Sequence, residues 1–373
     1  MINWDSYRDL FPVVKDKTYF MTAGGGAMPT PVYEAIKDRY WQVMHRGGDA
    51  FGENIGIMES CREKIANLIN AEKENIAFIP NVSYGMNAIA NSLISQNTVL
   101  IPENDFPSTI VPWENINAPI EFISTTPDLQ DNILEILTNQ STENCSLVTS
   151  SISYANGYQL NLDELAKHKK QTHFIINHTQ GIGVFPVDVK KQKIDALVCS
   201  AYKWMCCGEG ISFMYISNEL FKKMKPALVG WRSIQQAMSF NGQKQYYNDA
   251  RVFELGWDNM TIFSGLKAAL ELLSEIGIEN IAARVSSLSS YLINALEKQG
   301  IPVLTLNNKE HISGNVLIGP LKNPNAVFEA LQKKNIWVNA RGNGIRVSLH
   351  FYNTFEDIEK LVRVMPEIMK ADK

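Results

Sequence analysis

Lys203 is the residue whose type and setting most clearly suggest chemistry. It follows the apolar run Ala196–Cys199 and Ser200, within Ala201-Tyr202-Lys203-Trp204, and Gly208-Glu209-Gly210 comes shortly after. A lysine on the loop after a buried strand suits Schiff-base formation with an aldehyde. The amine must lose its proton to attack, and partial burial lowers its pKa. A surface lysine on a loop fits the same bare pattern, and a single motif does not separate the two. Upstream, Phe174–Ile176 leads into Asn177-His178-Thr179-Gln180-Gly181. In an α/β sheet, ligands sit outside the carboxyl ends of strands. Asn177 and Ser200 are expected just past two such ends.

The elements that must position these residues are short apolar runs alternating with amphipathic stretches. Ile76–Ile79, Thr98–Ile101, Ile120–Ser124, Ser146–Thr149, Phe174–Ile176, Ala196–Cys199 and Ile211–Ile216 read as strands. Helical patterns such as Gly85–Ile94 and Ile133–Thr138 lie between some of them. The alternation predicts a mostly parallel sheet covered by helices. From Thr261 the pattern changes. Two long helices, Thr261–Ile276 and Ile278–Lys298, lead into strands near Asn315–Ile318, Trp337–Asn339 and Ile345–Ser348, then a last helix over Thr354–Met369. This predicts a large domain over 19–260 and a smaller α+β domain over 261–373, joined by the N-terminal segment 1–18.

A chain of 373 residues suits such a two-domain enzyme. With 35 basic and 39 acidic residues the net charge is -4, which gives a nucleic-acid partner no electrostatic support. The runs Lys167–Lys170 and Lys190–Lys193 read as solvated faces. Five cysteines without CxxC spacing indicate neither a disulfide framework nor a zinc site, and a reducing cytoplasm is the natural compartment. The first ten residues lack the continuous apolar core of a signal peptide. No apolar run is long enough to span a membrane.

The order of motifs along the chain resembles the pyridoxal 5′-phosphate (PLP) enzymes of fold type I, in the class V aminotransferase, cysteine desulfurase, isopenicillin-epimerase-like and kynureninase group. Carrying the resemblance are Tyr19–Gly26, Asn81–Asn87, Asp105–Ser108, Ser151–Gly157, Asn177–Gly181, Ser200–Lys203, Pro226–Trp231, Ala250–Gly256 and Arg346–Asn353. It implies the aspartate aminotransferase-like α/β fold: a mostly parallel seven-stranded sheet with helices on both faces and a smaller C-terminal α+β domain. It also implies a homodimer with PLP as cofactor. Lys203 matches the Schiff-base lysine, which would also shuttle the Cα proton. Val82 and Ser83 match the turn that cradles the phosphate at a helix N-terminus. Phe106 matches the residue stacked on the pyridine ring, and Asn177 stands opposite its nitrogen. Gln180 matches the partner of the phenolic oxygen, and Ser200 and Tyr202 the phosphate ligands. Arg346 matches the arginine that pairs a substrate α-carboxylate through its planar fork. Gly24 and Gly25 would let backbone approach the same carboxylate.

Three departures bear on activity. Asn177 replaces the aspartate that keeps the ring nitrogen protonated. A unit charge at ~4 Å is worth roughly 4 kcal/mol at an effective dielectric near 20, so its loss could lower the nitrogen's pKa by about 3 units. The cysteine-bearing loop of desulfurases is missing, since Val338–Ile345 holds no thiol. Trp257-Asp258-Asn259 follows Gly256 where the group often has threonine. The expectation is a PLP enzyme acting on an amino acid or related amine, an aminotransferase first. The alternatives are a lyase or epimerase, and a catalytically weakened PLP-binding protein. Trp41, Asp49 and Arg251 are candidates for substrate specificity.

Overall fold

The apolar runs in the middle of the chain form strands buried on both faces, as continuous runs of that kind must. A computed structural model describes residues 2–93, 98–126, 128–139, 145–239, 242 and 244–371. Its strands are β1 (Thr18–Tyr19), β2 (Ile76–Ile79), β3 (Thr98–Pro102), β4 (Ile120–Ile123), β5 (Cys145–Ser150), β6 (His173–Asn177), β7 (Ala196–Ser200), β8 (Ser212–Ile216), β9 (Asn315–Ile318), β10 (Ile336–Trp337), β11 (Asn339–Arg341) and β12 (Gly344–Ser348). Seven of them build one sheet in the order β2-β8-β7-β6-β5-β3-β4. Pairing is parallel from β7 through β6, β5 and β3 to β4, while β8 runs antiparallel to both of its neighbours. The mostly parallel seven-stranded sheet expected from sequence is therefore present.

The period-2 alternation of side chains splits the core into two layers. Leu147, Phe174, Ile176 and Leu197 pack with Phe263 and Leu266 on one face. Val148, Ile175 and Val198 pack with Met86, Ile89 and Trp113 on the other. The helix Val82–Ser92 lies close on the sheet at Gly85, where a Cβ would stand 2.5 Å from Ile79 Cδ1. The helix Ile262–Ile276 packs against Thr30–Arg46 and Phe51–Ile69.

A second core joins Phe20 to residues of the helices Ile278–Lys298, Pro324–Lys333 and Phe355–Ala371 and of the sheet β11-β12-β9. The N-terminal segment is tied to it: β1 pairs with β10, and Arg8 bonds Asp357 at 2.7 Å. The single strand expected over Trp337–Asn339 is instead two. β10 pairs with β1 and β11 pairs with β12, because the chain changes partners at the buried Val338. The helix expected over Gly85–Ile94 starts earlier, at Val82, because Asn81 caps it; Ile94 lies outside the described residues.

Candidate active site

The carboxyl ends of β6 and β7 form the floor of the site. Asn177 and Ser200 are the last residues of their strands, not residues just beyond them. The ladder pairs Ser150↔Asn177 and Ser200↔Ser212 extend each strand by that one position. A cavity of about 210 Å³ opens above them. Val82, Ser83, Phe106 and Asn177 line it, as do Gln180, Ser200, Tyr202 and Lys203. Eight positions spread over about 120 residues of sequence are thus brought together.

Each wall has a local cause. The helix Val82–Ser92 points its N-terminus at the cavity. The first N–H groups of a helix have no intrahelical acceptor. Here the Asn81 side chain takes that of Tyr84 at 2.9 Å and the Asn81 carbonyl that of Gly85, leaving those of Val82 and Ser83 for an anion. Ser83 Oγ lies 2.7 Å from Ser108 Oγ. Phe106 opens the helix Pro107–Asn115, and its N–H donates to Asp105 Oδ1 at 2.6 Å. Asp105 also accepts from the Ser150 N–H and hydroxyl. Asn177 Oδ1 accepts the Thr179 N–H and its Nδ2 donates to Thr109 Oγ1, which fixes the amide's orientation. Gln180 Oε1 accepts from Trp204 Nε1 at 2.7 Å and its Nε2 donates to the Ala23 carbonyl at 3.3 Å, which leaves one Nε2 hydrogen to donate.

Lys203 Nζ stands 5.4 Å from the Phe106 ring centroid and 5.6 Å from that of Tyr202. Burial pushes its pKa from 10.5 down to about 8, and Arg346 and Arg341 add to the fall. An amine so placed is partly unprotonated near neutral pH, as a nucleophilic lysine requires.

Arg346, Gly24 and Gly25 stand beside the cavity, not in its lining. Arg346 is 1% exposed; it donates to the Tyr154 carbonyl and, at 3.4 Å, to Asn339 Oδ1. Gly24 touches the same asparagine: a Cβ there would be 3.2 Å from Asn339 Oδ1. The Gly25 carbonyl accepts from Tyr19 Oη. Gly26 lies against the lysine, its N–H bonded to the Tyr202 carbonyl, and a Cβ there would overlap Lys203 O at 1.9 Å.

Sequence reasoning did not single out Thr179, Ser108, Ser150 or Tyr154, which also line the cavity, nor Arg341, whose guanidinium lies 5.8 Å from the Tyr154 ring. The stretches that carry the resemblance include Ser108, Tyr154 and Thr179 but give them no role. The three specificity candidates do not reach the cavity. Arg251 is held by Asp249 at 2.6 Å, and Trp41 is exposed and stacked on His45. Asp49 sits in the short helix Gly47–Ala50. Cys206 and Cys207 are buried and burial pushes both thiols up, so neither is a ready nucleophile.

Among the described residues no cluster of three or more metal-ligating side chains occurs, and no helix is long and apolar enough to cross a membrane. The site suits a small aromatic aldehyde phosphate. Helix N–H groups without an acceptor meet an anion, an apolar ring covers a flat heterocycle, and a buried amine awaits a carbonyl.

Comparison with known proteins agrees. Residues 18–361 match the family described as aminotransferase class-V. An uncharacterized aminotransferase of Bacillus subtilis is 27% identical over 366 residues, covering 96% of either chain. A probable cysteine desulfurase of Pyrococcus abyssi is 27% identical, covering 98% of each. The cysteine desulfurase of Thermococcus onnurineus superposes with a TM-score of 0.88 at 24% identity, covering 100% of this chain and 99% of that one. The chain belongs to the class-V aminotransferase family. It is a PLP-dependent enzyme of the aminotransferase and cysteine desulfurase-like kind.

Proposed function

We propose that this enzyme is an aminotransferase acting at Cα of an amino acid, with Lys203 holding the cofactor covalently. The observation that carries this is the half-buried Lys203 amine, lowered to about 8, in a cavity also lined by the helix N-terminus at Val82 and Ser83. Bound PLP supplies an aldehyde for the substrate's amino group and an electron-withdrawing ring that labilises the bonds at Cα.

The chain's residues divide the remaining work. The Val82 and Ser83 N–H groups, with Ser200 and Tyr202, bind the phosphate. Phe106 would cover the ring face, and the Gln180 Nε2 hydrogen not bonded to the Ala23 carbonyl would donate to the phenolic oxygen. Asn177 Nδ2 has one hydrogen beyond its bond to Thr109, and this is available to the ring nitrogen. Unlike an aspartate it brings no negative charge. Arg346 binds the α-carboxylate against the backbone of Gly24 and Gly25. Lys203, once displaced by the substrate's amino group, would take the proton from Cα and deliver it to the cofactor's C4′ carbon, the net shift that transamination requires.

The second reading is a lyase or epimerase, and the desulfurase-like relatives favour keeping it. Loss of the thiol loop argues against desulfuration through an enzyme cysteine: the β11–β12 hairpin carries Arg341, Gly342 and Asn343 instead. The purified protein should show visible absorption that borohydride fixes on Lys203 and that Lys203→Ala lacks. Incubation with L-amino acids should then yield pyridoxamine phosphate. Release of ammonia or a β-substituent with the cofactor returned intact would establish the lyase instead. A cofactor spectrum that no amino acid perturbs would establish a weakened PLP-binding protein.

A homodimer fits the exposed Tyr33, Tyr40, Trp41 and Met44 of the helix Thr30–Arg46, together with Leu228, Val229 and Trp231. Sedimentation as a monomer would exclude it. The second core, Phe20 with residues from Leu288 to Ile368, supports a smaller C-terminal domain, while Phe263, Leu266 and Val285 of the expected 261–373 and Phe11 and Val14 of the expected 1–18 pack in the first core with the large sheet. Five free cysteines suit a reducing cytoplasm.

A further inference from the structure

Two guanidinium groups stand on one face of the β11–β12 hairpin without an anionic partner. Arg346 lies directly opposite Asn339, and Arg341 follows Asn339 by two residues on the same strand. Side chains two apart on a strand share a face, so Arg341 is the diagonal neighbour of Arg346, with about 7–8 Å between such positions. Arg346 has only a carbonyl and an amide oxygen as partners, and Arg341 has only the Tyr154 ring face. The Nε–H of each is buried without an acceptor. No carboxylate pairs with either among the described residues. Burial and then Arg341 push the Arg346 guanidinium down to about 10. Both arginines also act on Lys203, which puts the pair within electrostatic reach of the reacting amine.

Like charges on one sheet face oppose each other, and buried donors without acceptors cost stability. One α-carboxylate satisfies one fork. Arg341 stands nearer the hairpin turn at Gly342 and is more exposed than Arg346, so it meets the part of a substrate that points outward from Cα.

We propose that Arg341 is a specificity-determining residue that pairs a second acidic group, so that the site takes dicarboxylic amino acids of the aspartate and glutamate kind. The proposal rests on the reading of Arg346 as the α-carboxylate partner. Tyr154 contributes by positioning: its carbonyl holds Arg346 and its ring carries Arg341.

The test uses the holoenzyme and ligands without an amine, so that binding is read apart from covalent chemistry. Calorimetric titration should show succinate binding about tenfold or more tighter than propionate, as a second charge-assisted pair implies. Arg341→Gln should narrow that ratio to about twofold, and Arg346→Gln should weaken both ligands. Equal affinities in the parent enzyme, or a preference that survives Arg341→Gln, overturn the proposal. So does an Arg341→Gln variant whose only defect is weaker cofactor retention, which would make the residue a phosphate ligand. L-aspartate, L-glutamate and L-alanine are then compared by cofactor absorbance. An enzyme that prefers succinate yet responds to none of the three overturns the amino-acid function, whereas a lost succinate preference overturns only the role of Arg341.

Discussion

Replacing Lys203 with methionine should stabilise the cofactor-free protein at neutral pH while abolishing its chemistry. The folded chain holds this amine with a pKa of about 8 against 10.5 for a free lysine. That gap is about 2.5 pH units, or ~3.4 kcal/mol at ~1.36 kcal/mol per unit. Because the amine borders a water-accessible cavity, screening leaves ~1–3 kcal/mol. Between pH 8 and 10.5 the unfolded chain binds more protons than the folded one, so parent stability rises with pH across that window. Below pH 8 both forms are protonated and the full penalty of the buried ammonium is present. Lys203→Met should therefore be the more stable protein at pH 7, and its advantage should shrink progressively toward pH 10.5. Methionine also adds apolar contact, but that contribution does not vary with pH, so the slope is diagnostic. Urea unfolding of both cofactor-free proteins at pH 7, 8, 9 and 10 supplies the measurement. A difference that stays flat over this range would refute the reasoning, as would a less stable variant at pH 7.

Asn177→Asp keeps the acceptor for the Thr179 N–H and lets Thr109 donate. It should raise the rate of Cα hydrogen–deuterium exchange of a bound amino acid at least about tenfold, against a ceiling of ~4 kcal/mol for a charge at ~4 Å. An unchanged rate would show that ring protonation does not limit this enzyme. Gly26→Ala places a methyl group 1.9 Å from Lys203 O. The backbone must shift, at ~1–3 kcal/mol, and cofactor uptake monitored by absorbance should fall; unaltered uptake and stability would mean that the Tyr202–Lys203 loop is not held by this contact. Glu254→Ala removes the partner of Arg62 at 2.7 Å, of Arg232 at 3.2 Å and of the Phe78 N–H. With Arg62 1% exposed, the loss should be ~3–5 kcal/mol by urea unfolding, and a loss under ~1 kcal/mol would show that the network relaxes around the gap.

The sheet was legible because its strands are apolar runs separated by turn residues, and a buried parallel strand needs little more. Leu147, Phe174 and Leu197 all fall within runs read as strands. Strand ends were less legible. Whether Asn177 and Ser200 close a strand or follow it depends on ladder bonds from Ser150 and Ser212, which no local pattern reports. The same holds for Val338, where the chain changes pairing partners. At the site, the order of the motifs pointed to Lys203 and to residues that line one cavity with it. Arg341 escaped because its meaning comes from register: only the pairing Asn339↔Arg346 reveals that residue 341 shares a face with Arg346. Arg251 misled for the opposite reason, since an arginine within the Ala250–Gly256 stretch gives no sign that Asp249 already occupies its fork.

The charge balance of the site bears on what it accepts. Its cations are Lys203, Arg341 and Arg346. Asp105 bonds Ser150 of the cavity lining and is engaged by the Phe106 N–H and by Thr149. Burial raises its pKa despite those bonds. An aspartate at position 177 would have added a second negative charge on the floor; asparagine does not. The unmatched positive charge therefore has to be met from outside, by a phosphate at the helix N-terminus and by carboxylates at the hairpin. A simple amine brings no carboxylate and would leave the Arg346 Nε–H buried and unpaired at the cost of an unsatisfied charged donor. The replacement of an acid on the floor and the clustering of arginines on the hairpin thus act in one direction. On the proposed role of Arg341, both favour acidic amino acids over amines, and the uncharged Asn177 would give less assistance at the ring nitrogen for the step that follows.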